Sequence, residues 1–288
     1  MKKIMNKILC KLLIITCKIW KDEFYLKSLF RLRGGQYMLD LDRPKTFNEK
    51  LNWNKLYDHN LLYHDMVDKY KVKKIVAEII GEKYVVPCFG VWNNPEEINL
   101  DDLPESFVLK ATHDSSGVYI CKNKKEIKKE DIITHFKKWK TTHYEIAREW
   151  AYKDVLPRII ADKLIDDKSG HELTDYKFWC FNGVPQIMYI TNKGSNVTEN
   201  FYDMDFNPVM IDHGFKRRQP EFEKPSQFDL MKSLCLKLLE KIKPSFVRVD
   251  FFNVENSVYF GEFTFYDWGG VQPFQSYEMD LKLGSLIN

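Results

Sequence analysis

No Cys-x-x-Cys pair occurs in this 288-residue chain, so the cysteine half of a metal finger is missing. The six cysteines, Cys10, Cys17, Cys88, Cys121, Cys180 and Cys235, sit mostly among apolar neighbours, which suits reduced core thiols of a cytosolic protein. No internal repeat is visible. Glycine is sparse at 13 residues, while 44% of the chain is apolar and 15% aromatic, which excludes a disordered or low-complexity polypeptide. An excess of one charge is also lacking. Lys and Arg number 44 against 41 Asp and Glu, a formal +3 that falls well short of a nucleic-acid-binding domain. The GxxxxGK[ST] phosphate loop is missing, and no Ser–His or Cys–His arrangement stands out for nucleophilic catalysis.

Nor is any apolar run long enough to span a bilayer, because Lys11 interrupts the one candidate. That candidate is residues 1–20, MKKIMNKILCKLLIITCKIW, which also lacks the small-residue cleavage site of a signal peptide. Lys3, Lys7, Lys11 and Lys18 fall on one helical stripe. Ile4, Met5, Ile8, Leu9, Leu12, Leu13, Ile15 and Ile19 cover much of the rest. Two readings stay open: a basic amphipathic helix on an anionic membrane surface, or a helix packed on the body of the protein.

What is present reads as helices alternating with antiparallel hairpins, an α+β protein. Thr46-Phe-Asn-Glu49 is a capping box that predicts a helix to about Tyr57. A second helix is expected from about Asp65 to Gly81, carrying Met66, Tyr70, Ile75, Ala77 and Ile79. Strands are expected over 85–92, 106–112, 118–122, 158–165 and 174–181, with helical stretches over 125–154 and a turn at 166–170. Asn182-Gly183 is a two-residue hairpin turn leading into a strand at 184–191. A short hairpin at 199–213, a helix at 226–243, a strand pair at 246–252 and 257–265 and a last helix complete the chain.

The last strand pair carries the strongest chemical signal. Alternation puts Arg248 and Asp250 on one face of the first strand, and Glu262 and Thr264 on one face of the second. If Arg248 lies opposite Glu262, Asp250 is its diagonal neighbour, and a divalent ion fits between the two carboxylates. A salt bridge from Arg248 to the acids is the plainer alternative. A second signal is Lys110, ending an apolar strand before the small polar turn His113-Asp-Ser-Ser-Gly117. Backbone N–H groups of such a turn can hold phosphate oxygens; an exposed hairpin with a solvated lysine is the alternative. A third is Asp175-Tyr-Lys177, whose lysine shares a face with Trp179 and Phe181 and needs water, an ion pair or a ligand.

Taken in order, Lys110 with its Ser/Gly turn, Pro157-Arg-Ile-Ile-Ala-Asp-Lys-Leu-Ile165, Lys177, Arg248-Val-Asp250 and Gly261-Glu-Phe-Thr264 resemble the nucleotide site of the ATP-grasp superfamily. The similarity is greatest to its teichuronopeptide-biosynthesis-like branch, found with bacterial polysaccharide genes. It covers the chain from about Thr46 onward and includes Thr46-Phe-Asn-Glu-Lys50, Asp68-Lys-Tyr-Lys71 and Tyr259-Phe-Gly-Glu-Phe-Thr264. The resemblance implies an ATP-grasp fold of two α+β lobes clasping ATP behind an extra N-terminal helical segment. Its divisions are residues 1–45 for that segment and 46–288 for the catalytic region, the latter split at 46–104, 105–165 and 166–288.

The same resemblance implies residue roles. Lys110 and Lys177 would contact phosphates, and Ser115, Ser116 and Gly117 would close over them. Asp162, Lys163 and Ile165 would hold adenine at the hinge. Asp250, Glu262 and Thr264 would bind Mg2+, and Arg248 would face a reacting carboxyl. Two positions depart from the superfamily pattern, which has Glu at Asp162 and Asn at Thr264. The implied activity joins a carboxylate to an amine through an acyl phosphate, at the expense of ATP. In this branch the substrates would be an amino acid and a sugar or uronic acid of a cell-surface glycan. A cytoplasmic enzyme is expected, held by residues 1–20 at the inner membrane face on one of the two readings above. A glycosyltransferase using Asp203-Met-Asp205 and a catalytically silent membrane-surface scaffold are the alternatives.

Overall fold

The computed structural model of the chain describes residues 2–288 apart from 115–116, 138–142, 167–172 and 193–196. The capping box forms as expected. Thr46 accepts from the Glu49 N–H, Glu49 reaches back to the Thr46 N–H, and helix α3 runs Phe47–Tyr57. It follows α1 (Lys2–Ile15) and α2 (Asp22–Leu32).

The helix expected over 65–81 is two helices, α4 (Leu62–Val67) and α5 (Lys71–Ile80). Asp68 breaks them apart: its Oδ1 accepts from the backbone N–H groups of Tyr70 and Lys71 at 2.8 and 3.2 Å. An Asp that binds the chain just ahead of it caps a new helix in preference to continuing the old one.

Four strands form a first antiparallel sheet in the order β1-β4-β2-β3: β1 (Cys88–Trp92), β2 (Phe107–Ala111), β3 (Val118–Cys121) and β4 (Ile159–Lys163). Its back face packs Leu109, Ala111, Ile159 and Ala161 against Ile132 and Phe136 of α6 (Lys129–Phe136). The opposite face is left to Lys110, Ile160 and Asp162. A short helix, α7 (His143–Ala147), lies between α6 and β4.

The second sheet holds six antiparallel strands in the order β10-β9-β5-β6-β7-β8. These are β5 (Asp175–Phe181), β6 (Val184–Asn192), β7 (Thr198–Tyr202), β8 (Pro208–Val209), β9 (Phe246–Val254) and β10 (Ser257–Thr264). The β5–β6 turn is the expected one, with Asn182 and Gly183 at φ 51° and 83°. One face of the sheet builds the main core from Phe178, Cys180, Val247 and Val249 against α8 (Phe228–Leu239). The other face is divided along its length. Trp179, Phe181 and Phe246 pack on Phe47 of α3 and Leu283 of α9 (Tyr277–Gly284), whereas Lys177, Arg248 and Asp250 occupy the far end.

Helix α9 locks onto the start of α3. Buried Asp280 accepts from the Asn48 backbone N–H at 3.0 Å, from Asn48 Nδ2 at 2.8 Å and from Tyr37 Oη at 2.6 Å. The approach is so close that a Cβ on Gly284 would overlap the carbonyl oxygen of Lys45 and the carbonyl carbon of Thr46. Overpacking against backbone has no flexible side chain to absorb it. Gly284→Ala should therefore lower unfolding stability by about 1–3 kcal/mol in urea titrations; an unchanged midpoint would contradict this packing.

Candidate functional site

The polar end of the second sheet is built by direct cross-strand pairing. Lys177 on β5 lies opposite Asp250 on β9, and Trp179 lies opposite Arg248. Lys177 Nζ donates to Asp250 Oδ2 at 3.1 Å and to Asp175 Oδ2 at 2.9 Å. Arg248 forks onto Asp250, Nε to Oδ1 at 2.7 Å and Nη2 to Oδ2 at 2.8 Å. Nη2 also donates to Glu262 Oε1 at 2.8 Å, and Nη1 to Asp267 Oδ1 at 2.5 Å. All three guanidinium nitrogens are thus engaged by protein acids. In this arrangement Arg248 faces protein acids, because burial leaves the guanidinium needing its own counter-charges.

The register of the last hairpin also differs from the expected one. Arg248 lies opposite Thr264, not Glu262. A bulge between Phe260 and Phe263 sets Gly261 and Glu262 against Asp250, and this brings the carboxylates together. The bulge explains a second anomaly: Phe260 and Phe263, three residues apart, both enter the main core. Gly261 permits the approach, because a Cβ there would stand 3.1 Å from the Asp250 carbonyl oxygen and 3.2 Å from its Cβ. Thr264 Oγ1 donates to Glu262 Oε1 at 3.1 Å, so its hydroxyl orients that carboxylate.

Asp267 gives the sequence no motif, yet it anchors the cluster. Its carboxylate accepts from Trp179 Nε1 at 3.0 Å and Tyr189 Oη at 3.0 Å, as well as from Arg248. The turn that follows, with Trp268, Gly269 and Gly270 at φ 47°, 63° and 59°, is held by α3: Asn52 Nδ2 donates to the Gly270 carbonyl at 2.6 Å and Lys55 to that of Gly269. Burial pulls the Lys55 ammonium down to about 8.

On the first sheet, Lys110 Nζ pairs with Asp162 Oδ2 at 3.0 Å, and Lys73 of α5 pairs with Asp162 Oδ1 at 2.9 Å. Asp162 is therefore a buried counter-ion to two lysines. Burial lowers the Lys73 ammonium below its ordinary value, against the pull of Asp162. Beyond it, Lys163 is exposed and Ile165 half-buried on the stretch leading toward the second sheet. Gly117 is buried, and its carbonyl accepts from the Ala111 N–H at 2.7 Å; Ser115 and Ser116 lie outside the described residues. His113 is buried beside this turn.

The two half-sites are joined by a segment to which sequence reading assigned no role. Lys69 Nζ reaches Glu262 Oε2 at 3.4 Å on the second sheet, while Lys73, four residues on, reaches Asp162 on the first. The turn that leads into α5 bridges them, with a long side chain at each end. Asp68 fixes that turn by its capping bonds and by accepting from Arg158 Nη2 at 2.7 Å. Asp68-Lys-Tyr-Lys71 stood out in the sequence as part of the resemblance, but with no chemical role attached to it.

Around Asp250, three cations, Lys69, Lys177 and Arg248, meet four carboxylates, Asp175, Asp250, Glu262 and Asp267. Burial pushes the Asp250 carboxyl above its ordinary value against the pull of Arg248 and Lys177. Burial would do the same to Glu262, but Lys69, Arg248 and Lys177 outweigh it and hold that carboxyl down to about 2. Lys177 stays charged: burial lowers it, but Asp250 and Asp175 raise it further. Among the described residues no three Asp, Glu, His or Cys side chains converge as a complete metal cage. Two adjacent carboxylates do suit magnesium that brings phosphate oxygens and water as its other ligands. Asp203 and Asp205 do not join this site. Asp203 Oδ1 accepts from the N–H groups of Asp205 and Asn207 at 2.9 and 2.8 Å, which is turn chemistry.

A family model described as TupA-like ATP-grasp matches residues 49–288. Among solved structures, the chain is similar to the D-alanine–D-alanine ligase of Bacillus anthracis complexed with ATP, at 14% identity and TM-score 0.45, covering 84% of this chain and 74% of that one. It is similar to the D-alanine–D-alanine ligase of Helicobacter pylori at 15% identity and TM-score 0.43, covering 84% and 67%. It is also similar to the ATP-grasp ligase PsnB complexed with a minimal precursor, at 9% identity and TM-score 0.40, covering 75% of this chain and 59% of PsnB. Likenesses this remote carry no argument, and the assignment rests on the family match. No curated protein matches the chain.

The Glu262 ion pairs make stability depend on pH. A carboxyl held below its ordinary 4.5, at about 2, contributes stability that is complete above 4.5 and lost as pH falls toward 2. The thermal midpoint should fall across that window, and Glu262→Gln should flatten the part of the slope that belongs to this group. Parallel acid curves for parent and variant would contradict the arrangement.

Proposed function

The chain belongs to the TupA-like ATP-grasp family, and on that premise we propose that it is an ATP- and magnesium-dependent ligase that activates a carboxylate and joins it to an amine. The observation that carries this reading is the Lys69–Lys73 bridge. It ties the lysine pair on Asp162 and the carboxylate pair Asp250–Glu262 to one four-residue step of chain, which supports a triphosphate between them with cations on one side and metal-binding oxygens on the other.

In this proposal Lys110 and Lys177 bind phosphate oxygens. Both can exchange a carboxylate partner for a phosphate without losing their charge, and Lys177 is held protonated by its acids. Ser115, Ser116 and Gly117 close over the phosphates, and Lys163 and Ile165 border adenine. Asp250 and Glu262 hold magnesium with those phosphates, where its charge offsets that of the triphosphate. Thr264 and Arg248 set the two carboxylates in place. A substrate carboxylate oxygen attacks the γ-phosphorus, the bond to the β–γ bridging oxygen breaks, and ADP leaves. The amine nitrogen then attacks the acyl carbon and loses a proton as phosphate departs. The fixed lysines stabilise charge in both steps, so the protein needs no nucleophile of its own. The substrates proposed are an amino acid and a sugar or uronic acid of a cell-surface polysaccharide, and the need for ATP places the reaction in the cytoplasm.

Incubated with ATP, magnesium and a uronic-acid glycan, the protein should release ADP, and hydroxylamine should trap the activated acid as a hydroxamate. Lys110→Ala should weaken ATP binding about ten- to hundredfold, the loss of one charge-assisted contact. Sugar transfer from a nucleotide sugar without ATP consumption would overturn the ligase reading. Nucleotide binding without turnover of any acid–amine pair would favour a silent scaffold.

A further inference from the structure

Helix α1 settles against the body and still shows an apolar face to the outside. At about 100° per residue its buried edge is the one carrying Leu13, with Cys10 and Ile14 beside it. These and Cys17 pack on Tyr25, Leu26, Leu29 and Val271. Directly opposite stand Ile4, Ile8, Leu12 and Ile15, exposed by 66, 55, 52 and 78%. Met5, Leu9 and Ile19 widen the same face. Packing on the protein therefore accounts for one edge of the helix and leaves its widest apolar face unexplained.

Charge identifies what covers it. Lys7, Lys11 and Lys18 line one flank, and no Asp or Glu occurs in residues 1–21. The flank's ion pair from the body, Lys18 to Glu145 at 3.1 Å, is itself exposed. A second copy laid on this face would bring another lysine-only helix with no acid to answer it. At the far end, Trp20 and Phe24 form an exposed ring pair 5.1 Å apart, with Trp20 Nε1 donating to Thr16 Oγ1. An apolar face bounded by lysines and finished by a tryptophan suits the headgroup boundary of a membrane. Among the described residues no helix is long and apolar enough to cross one.

We propose that the Ile4–Ile8–Leu12–Ile15 face of α1 docks on an anionic lipid surface, lying in its plane with Lys7, Lys11 and Lys18 at the headgroups and Trp20 and Phe24 at the boundary. The docking needs nothing from the nucleotide site and stands apart from the ligase reading.

The test is flotation of the full chain with vesicles of equal phosphatidylglycerol and phosphatidylcholine, beside vesicles of phosphatidylcholine alone. The protein should float with the anionic vesicles and lose binding as salt rises. The double variant Ile8→Asp, Leu12→Asp should bind at least about tenfold less, since each loses apolar area that the lipid would bury. Lys7→Gln with Lys11→Gln should also cost about tenfold or more, and on anionic vesicles only. Both pairs are exposed, so melting temperatures should stay at the parent value. Brominated lipid should quench fluorescence in the parent and quench less in Trp20→Phe. Equal flotation of parent and Ile8→Asp, Leu12→Asp would overturn the proposal. So would the absence of flotation, or a vesicle-free dimer that the same double variant abolishes.

Discussion

A buried guanidinium sets the terms for the second sheet. Removing the Arg248 charge from water costs several kcal/mol unless every nitrogen is answered, and the structure answers each one. Asp250 supplies a two-point fork, Glu262 shares Nη2, and Asp267 takes Nη1. Asp267 is itself wholly buried and so needs Trp179 and Tyr189 as donors. Those two rings belong to the aromatic layer that packs on Phe47 of α3. Helix α3 in turn holds the turn after Asp267 through Asn52 and Lys55. One charge therefore ties the polar end of the sheet to the helices beneath it. Networks of this kind stabilise little compared with apolar packing but fix geometry closely.

Much of this was legible in the sequence, and what was not has identifiable causes. The capping box at Thr46 and the Asn182-Gly183 turn are local, self-sufficient signals, and both elements formed as read. Strict alternation put Arg248, Asp250 and Glu262 on one face correctly but gave the wrong register. A bulge is set by what the two strands must bring together, here Asp250 against Gly261-Glu262, and strand patterning alone does not mark it. Lys69 and Lys73 were given no role because a lysine in or beside a helix is usually solvated; only the fold brings acids to them. Asp267 escaped because its donors come from β5 and β6, roughly eighty to ninety residues earlier. Asp162 was singled out, but its pairing with Lys73 and Lys110 was not, since the two lysines arrive from separate elements.

In the structure these cations and carboxylates satisfy one another. On the proposed function, a nucleotide with its metal would replace partners rather than enter an empty slot: phosphates for Asp162 and Asp250 at the lysines, metal for lysine at the carboxylates. Such exchange keeps every charge answered at each stage, which a low-dielectric site requires. The first helix adds a spatial constraint. Its buried edge packs on Val271, just past the Asp267–Gly270 turn, so α1 would stand between a lipid surface and the loop that anchors Arg248.

On the proposed function, Asp250 and Glu262 hold a metal ion whose shell only nucleotide phosphates complete. Manganese reports on such a site by its electron paramagnetic resonance signal. The account predicts weak Mn2+ binding to the protein alone, and binding at least about tenfold tighter once ATP is present, because a hard cation with two carboxylates needs phosphate oxygens to fill its shell. Asp250→Asn should remove that coupling, at a cost in melting temperature from the Arg248 and Lys177 ion pairs that it weakens. Mn2+ and ATP binding as tightly coupled in Asp250→Asn as in the parent would contradict it.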